Sequence, residues 1–256
     1  MDQLIKNASG EMLDYTFTSG VADCRDESWI VILGHGVTGN KDRPVIVDTA
    51  KALNDAGFDT LAFSFAGNGE SEGDFRSATI SKEVDDLRAV IDSVVGFYSK
   101  IAYVGHSMGG AVGVIRATCD DRINALVSIA GMVDTKAFAM TEFGEETPEE
   151  GLMWEEEACP LSSAFMTDLC DTIVSVEPLV SSVKVPWLLV HGTADDVVLP
   201  KDTESVKSLR GDAVDAVFVE GADHSFNESS HKTQLTETVV DWMLRLPQYD
   251  WLYKRD

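Results

Sequence analysis

Tyr103-Val104-Gly105-His106-Ser107-Met108-Gly109-Gly110 sets a serine between a strand and a helix. Ile101 to Val104 are apolar and β-prone, and Ala111 to Thr118 are small or helix-compatible. The turn between them has almost no length, and Ser107 is its apex. The spacing Gly105-x-Ser107-x-Gly109 is that of a nucleophile elbow. Both glycines have a physical task. The apex residue takes a strained backbone conformation, and side chains two positions away on either side would collide. A helix beginning at Met108 also directs its positive end at negative charge forming near Ser107. An ordinary Gly-rich βα turn satisfies the same five-residue pattern, so the rest of the chain must supply the partners.

Strand and helix alternate on both sides of this unit. Residues 3–7 and 12–18 read as two strands joined by Ala8-Ser9-Gly10-Glu11, an antiparallel opening hairpin. Trp29 to Leu33 is a continuous apolar run, the signature of a strand buried on both faces, and it ends in Gly34-His35-Gly36-Val37-Thr38-Gly39-Asn40. A helix follows from Pro44 to Ala56, stopped by Gly57. Phe58 to Phe65 is the next strand, before the Gly-rich turn 66–73. Ile80, Val84, Leu87, Ile91, Val94 and Tyr98 fall on one helical face. Beyond the elbow come strands at Ala125–Ala130, Trp187–Val190 and Ala216–Val219. Helices are expected near Lys201–Leu209 and at the end, where Leu235, Val239, Trp242 and Leu246 would be buried. This alternation predicts an α/β protein with a mainly parallel central sheet of about eight strands and helices on both faces. It breaks between Gly131 and Val183, a stretch too long for an ordinary loop. Phe138, Phe143, Trp154, Phe165, Leu169 and Ile173 predict short helices there, forming a cap over the sheet's edge. The expected organisation is one domain over residues 1–256, with the cap insertion at 131–183 inside it.

Composition narrows the class. A chain of 256 residues favours one large α/β domain over two small ones. Met1 to Asn7 lacks a basic region followed by an apolar core, and no apolar run approaches the roughly 20 residues of a membrane span. The expectation is a cytoplasmic protein with no membrane partner. Cys24, Cys119, Cys159 and Cys170 show neither a disulfide framework nor metal spacing, so free thiols are expected. No cluster of histidines and carboxylates has metal-ligand spacing either. The net charge of −24 repels nucleic acid and anionic membranes.

In such a sheet the functional ends of the parallel strands share one edge. A serine hydroxyl is a weak nucleophile until a base takes its proton, so Ser107 requires a histidine. His224 lies in Gly221-Ala222-Asp223-His224-Ser225-Phe226, after the last strand. Its imidazole requires a carboxylate behind it to fix the tautomer and stabilise the cation. Asp195 follows the penultimate strand in His191-Gly192-Thr193-Ala194-Asp195-Asp196 and is chosen over Asp196 on the Gly-x-x-Asp spacing. Each residue alone has an ordinary reading as a helix cap or a solvated side chain. Three loops supplying the three needed types in the order Ser, Asp, His is the stronger observation. The oxyanion hole needs two backbone N–H donors, and Met108 and Val37 are the candidates. His106 and His191 are expected to make structural hydrogen bonds, and His231 to lie on a helix surface.

Together, His35-Gly36-x-Thr38-Gly39, Gly67-Asn68-Gly69-Glu70-Ser71-Glu72-Gly73, the elbow, His191-Gly192-x-x-Asp195 and Gly221-x-x-His224-Ser225-Phe226 resemble the α/β-hydrolase superfamily across essentially the whole chain. The nearest branch in these motifs is the feruloyl/cinnamoyl-esterase-like one, which shades into the serine aminopeptidase-like hydrolases. The resemblance implies an α/β-hydrolase fold and cofactor-free hydrolysis of small-molecule carboxylic esters, of aromatic or short-acyl type, through an acyl-serine intermediate. It implies Ser107 as nucleophile, Asp195 as acid and His224 as base. A peptidase or amidase, a thioesterase, or a ligand-binding receptor with slow turnover can use the same fold.

The resemblance implies that the cap selects substrates, as in that branch, and Phe138, Phe143, Trp154 and Phe165 are the candidate lining. From Gly131 to Ser182 the chain carries twelve acids against one base, Lys136, a net charge of −11. A ring of these acids at the entrance would favour neutral or cationic substrates, whereas a solvated acidic surface would leave selection unaffected.

Overall fold

Ile30 and Ile32 face one side of a central sheet and Val31 and Leu33 the other, and all four are fully buried. Period-two alternation of an all-apolar strand thus builds two cores at once. In the computed structural model, which describes residues 4–21 and 28–246, seven strands form this sheet. They are β1 (Tyr15–Thr18), β2 (Trp29–Gly34), β3 (Asp59–Phe63), β4 (Lys100–His106), β5 (Ile123–Ile129), β6 (Trp187–Gly192) and β7 (Asp215–Val219). Their order is β1-β3-β2-β4-β5-β6-β7, with β1 antiparallel to β3 and every other pair parallel. The elbow strand β4 is central, paired with β2 in register Gly34↔Gly105 and with β5 in register His106↔Ile129.

On the Val31 face, α1 (Pro44–Asp55) packs beside α7 (Ser229–Arg245) through Val45, Ile46, Leu53, Leu235, Val239 and Trp242. On the Ile30 face lie α2 (Ile80–Val94), α3 (Met108–Ala117) and α6 (Lys201–Arg210). Helix α2 starts at Thr79, whose hydroxyl accepts the Lys82 N–H. It stops at Val94, and Gly96 then turns the chain at φ 90°. Tyr98, which the helical period placed on the same face, therefore lies past the helix and donates its hydroxyl to Asp59.

The opening hairpin is smaller than its alternation predicts. Lys6 and Met12 form one isolated antiparallel bridge, and continuous pairing begins only at Tyr15. The Asn7 side chain is the reason: its Oδ1 accepts the N–H groups of Ser9 and Glu11, and its Nδ2 donates to Asp86. A side chain that serves the turn in this way competes with a strand ladder. Among the described residues the sheet thus has seven strands, close to the eight or so expected. Gln3 and Cys24 lie outside the described residues, and Cys119, Cys159 and Cys170 are free thiols.

The insertion between β5 and β6 holds α4 (Thr135–Phe143) and a 3₁₀ turn at Met153–Glu155. After them α5 (Ser163–Thr167) runs into the π-helical turn Asp168–Ile173, followed by a 3₁₀ segment at Glu177–Ser182. Phe138, Phe143 and Phe165 are buried and join the Ile30-face core. Asp168 accepts both the N–H and the hydroxyl of Ser81, fastening the insertion to the start of α2. Among the described residues no helix is long and apolar enough to cross a membrane.

Trp242 is fully buried in α7, and its indole N–H donates to Asp215 at 2.7 Å. Trp242→Ala should lower the unfolding free energy by about 3–5 kcal/mol, read from urea denaturation. Trp242→Phe, which keeps most of the apolar volume, should cost clearly less.

Candidate active site

Ser107 stands at φ 55°, ψ −121°, a region that costs an L-residue about 1–3 kcal/mol. Its own backbone bonds hold it there. The Ser107 N–H donates to Ile129 at 2.9 Å, and its carbonyl accepts from Gly110 and Met132 at 2.9 and 3.0 Å. The flanking glycines are required by contact. A Cβ on Gly105 would strike the Gly109 carbonyl, and one on Gly109 would lie 2.5 Å from the His35 carbonyl oxygen.

The loop after β2 reaches the same point. A Cβ on Gly36 would sit 2.6 Å from the Ser107 Cβ, so only glycine lets this backbone approach the serine. His35 fixes the loop from below. Its Nε2 accepts the Phe65 N–H at 3.0 Å, which leaves Nδ1–H to donate to the Gly36 carbonyl at 2.8 Å. Burial lowers the His35 pKa to about 4, against the opposing bond to Gly36, so the ring stays neutral at ordinary pH. Val37 follows and lines the cavity described below. Met108 is the first residue of α3, and Ser107 does not cap that helix, so the Met108 N–H has no intrahelical partner.

Asp195 and His224 meet from neighbouring loops. His224 Nδ1–H donates to Asp195 Oδ2 at 2.8 Å, leaving Nε2 as the basic nitrogen. Asp195 Oδ1 accepts the Val197 and Val198 N–H groups at 3.0 and 2.9 Å. His191 Nε2 lies 3.2 Å from Asp195 Oδ2 and 2.8 Å from the Val198 carbonyl, two acceptors that place its proton there. Burial alone would raise the Asp195 pKa. Hydrogen bonds from His191 and His224 outweigh it and hold the carboxyl well below the usual carboxylate range. Asp196 is exposed. His231, on α7, is half-buried and stands 3.9 Å from Glu228.

His106 makes the structural hydrogen bond expected of it, and its partner is the His224 segment. Its Nε2–H donates to the backbone carbonyl of His224 at 3.0 Å, and the two rings lie 4.8 Å apart. The residue before Ser107 thus holds the residue that carries the candidate base. The sequence signal was present in Gly-His-Ser, but only the fold brings residues 106 and 224 together.

Ser107 and His224 line one cavity of about 500 Å³ with Val37, Trp154, Arg43 and Glu156. No hydrogen bond joins Ser107 to His224 in this structure, and such bonds commonly tighten only with substrate bound. Three of the four aromatic residues expected to line the site do not. Phe138, Phe143 and Phe165 are 6%, 1% and 2% exposed and pack edge-on among themselves, with Phe143 5.9 Å from Phe165 and 6.0 Å from Phe138. They are the insertion's own core; a short insertion must bury its aromatics before it can present any. Trp154 alone of the four reaches the cavity, 39% exposed, with its N–H on Glu142. Nor do the insertion's acids ring the cavity. Asp168 is buried on Ser81, Glu149 accepts the Ser163 N–H, and Glu156 is the one acid of the insertion in the lining.

Burial first, then the nearby His224, lowers the His106 pKa to about 3, far below the ordinary 6.5. Between those values the unfolded chain binds the proton and the folded one does not, so this histidine removes stability as pH falls from 6.5 toward 3. His106→Gln keeps a donor for the His224 carbonyl and removes the titration. Relative to the parent, the variant should gain about 2–3 kcal/mol between pH 7 and pH 4.5, read from urea midpoints.

The chain is similar to known proteins. The prolyl oligopeptidase family (Peptidase_S9) matches residues 47–248. The human palmitoyl-protein thioesterase ABHD10, mitochondrial, is 25% identical over 199 residues, 73% of this chain and 63% of the relative, and its Bos taurus counterpart is 26% identical over the same shares. The chain thus matches less than two thirds of the length of these curated relatives. Among solved structures, ferulic acid-bound Est1E from Butyrivibrio proteoclasticus superposes with a TM-score of 0.83 at 24% identity, covering 96% of this chain and 99% of that one. Alpha/beta hydrolase domain-containing protein 10 from mouse gives 0.70 at 18% identity, covering 95% and 98%. At these identities the structures show a shared fold, the α/β-hydrolase fold. On the match over residues 47–248, the chain belongs to the prolyl oligopeptidase family.

Proposed function

We propose that this protein is a serine hydrolase that cleaves carboxylic esters of small molecules. One observation carries the reading: the buried Asp195 carboxylate holds His224 by its Nδ1–H in the cavity that a strained Ser107 also lines. Ser107 Oγ attacks the ester carbonyl carbon while His224 Nε2 takes its proton. The oxyanion is held by the N–H groups of Val37 and Met108. Collapse expels the alkoxide, which leaves as the alcohol with the proton from His224. Water, deprotonated by the same histidine, then attacks the acyl-serine, releases the acid and restores Ser107. Asp195 keeps the imidazole in the required tautomer and stabilises its cation. Residues 131–183 act as a cap, with Trp154 presented to the substrate.

Thioester cleavage is the second reading, favoured by the 199-residue likeness to a palmitoyl-protein thioesterase. The same nucleophile, base and donors serve it, with a thiolate as leaving group. A panel of p-nitrophenyl esters, acyl thioesters and aminoacyl anilides separates these chemistries. Esters should be cleaved fastest, and a chain that cleaves only anilides, or binds without turnover, contradicts the proposal.

The triad assignment makes a ranked prediction. Asp195→Asn should lower kcat on the best ester by about 10⁴, through loss of the imidazole tautomer. Asp196→Asn, at an exposed position, should stay within about twofold. The reverse ranking would move the acid's role to Asp196.

A further inference from the structure

Arg43 lines the cavity, and among the described residues it is the one basic side chain other than histidine to do so. Its backbone carbonyl accepts the first N–H groups of the helix, but its side chain does nothing for it. It occupies the N-cap of α1, where its side chain makes no capping bond and where Ser, Thr, Asp or Asn would stabilise the helix end. A cation there is opposed by the helix dipole. Residues that break a local rule with no local gain point to function.

What Arg43 does touch is the loop beside Ser107. Its Nη2–H donates to the Thr38 carbonyl at 3.0 Å, and Thr38, at φ 53°, follows Val37, the proposed oxyanion donor. No carboxylate pairs with the guanidinium among the described residues, although 44 acidic residues are present in the chain and Glu156 lines the same cavity. One N–H is thus spent on fixing the side chain, and this exposed residue at the cavity lining keeps further donors for a ligand. A guanidinium oriented in this way suits a planar, two-oxygen acceptor.

We infer that Arg43 determines substrate choice: the cavity takes esters bearing a second, ionised carboxylate, which Arg43 binds while Ser107 attacks the ester. The inference rests on the ester-hydrolase reading and reverses the expectation drawn from the acidic insertion, whose charges lie outside the lining with Glu156 excepted. The chain's charge of −24 repels anions at long range, so an anionic substrate must be recognised by a local contact.

The test compares p-nitrophenyl hemiglutarate with p-nitrophenyl pentanoate, equal in chain length and differing in the distal carboxylate. Both are assayed at 0.15 M salt, where the Debye length is about 8 Å. Selectivity is the ratio of kcat/KM for the anionic ester to that for the neutral one. Arg43→Gln retains a donor for Thr38 and removes the charge, and it should lower this ratio by at least about tenfold. Arg43→Lys should fall between the two. An unchanged ratio overturns the inference. A parallel loss on both esters also overturns it, because Arg43 would then only support the Thr38 loop. Binding is read separately, by NMR titration of monomethyl glutarate into Ser107→Ala with and without Arg43→Gln. If neither p-nitrophenyl ester is hydrolysed, the ester reading fails, while weaker binding in the double variant still supports Arg43. Equal binding in the two backgrounds contradicts it.

Discussion

A serine at φ 55° is the constraint on which the site depends. Nothing in the serine favours that conformation; its surroundings impose it. The adjacent strand β5 takes the Ser107 N–H, the first turn of α3 and the residue after Gly131 take its carbonyl, and two glycines clear the space. Rigid elements on three sides over-determine one residue, which is how strain persists in a marginally stable fold. The parallel pairing of β2, β4 and β5 brings those elements to one place. The sheet therefore acts on the site directly, through the backbone hydrogen bonds of the strained residue.

The second half of the site is built from loops rather than from strain, and it is tied together before any substrate arrives. Ala194 N–H donates to the Ala222 carbonyl and Thr193 N–H to that of Val219, so the segments carrying Asp195 and His224 are bonded to each other. Gly221 N–H bonds the Thr193 hydroxyl, and fully buried Phe226 anchors the far end. His106 then links this unit back to the elbow through the His224 carbonyl. Two buried neutral histidines, His35 and His106, each hold a backbone carbonyl of a loop that faces Ser107. Imidazole suits this work because one ring nitrogen can donate while the ring fills apolar space.

Much of this was legible in the sequence because it rests on local rules. The all-apolar run at Trp29–Leu33, the elbow glycines and the stripe from Ile80 to Val94 each report their own surroundings. Ser107, Asp195 and His224 were chosen from the sequence because parallel α/β topology sends strand ends to a common edge; in the structure Ser107 and His224 line one cavity and Asp195 is hydrogen-bonded to His224. What was not legible depends on distant partners. Asn7 turns its side chain onto its own loop and onto Asp86, and so shortens a hairpin that alternation alone would have extended. Phe138, Phe143 and Phe165 have the composition of a binding wall, but periodicity cannot tell a wall from a small core. Arg43 directly precedes the helix at Pro44, and nothing local in the sequence places it at the cavity that it lines.

The central claim is that the strained serine is the group that becomes acylated. Fluorophosphonate labelling followed by peptide mass analysis reads this directly, because the probe needs an activated nucleophile and leaves its mass on the residue attacked. The account predicts a single phosphonylated site at Ser107, with labelling slowed sharply in Asp195→Asn as the imidazole loses its orientation. Labelling that persists in a folded Ser107→Ala, or that maps to another residue, would contradict it.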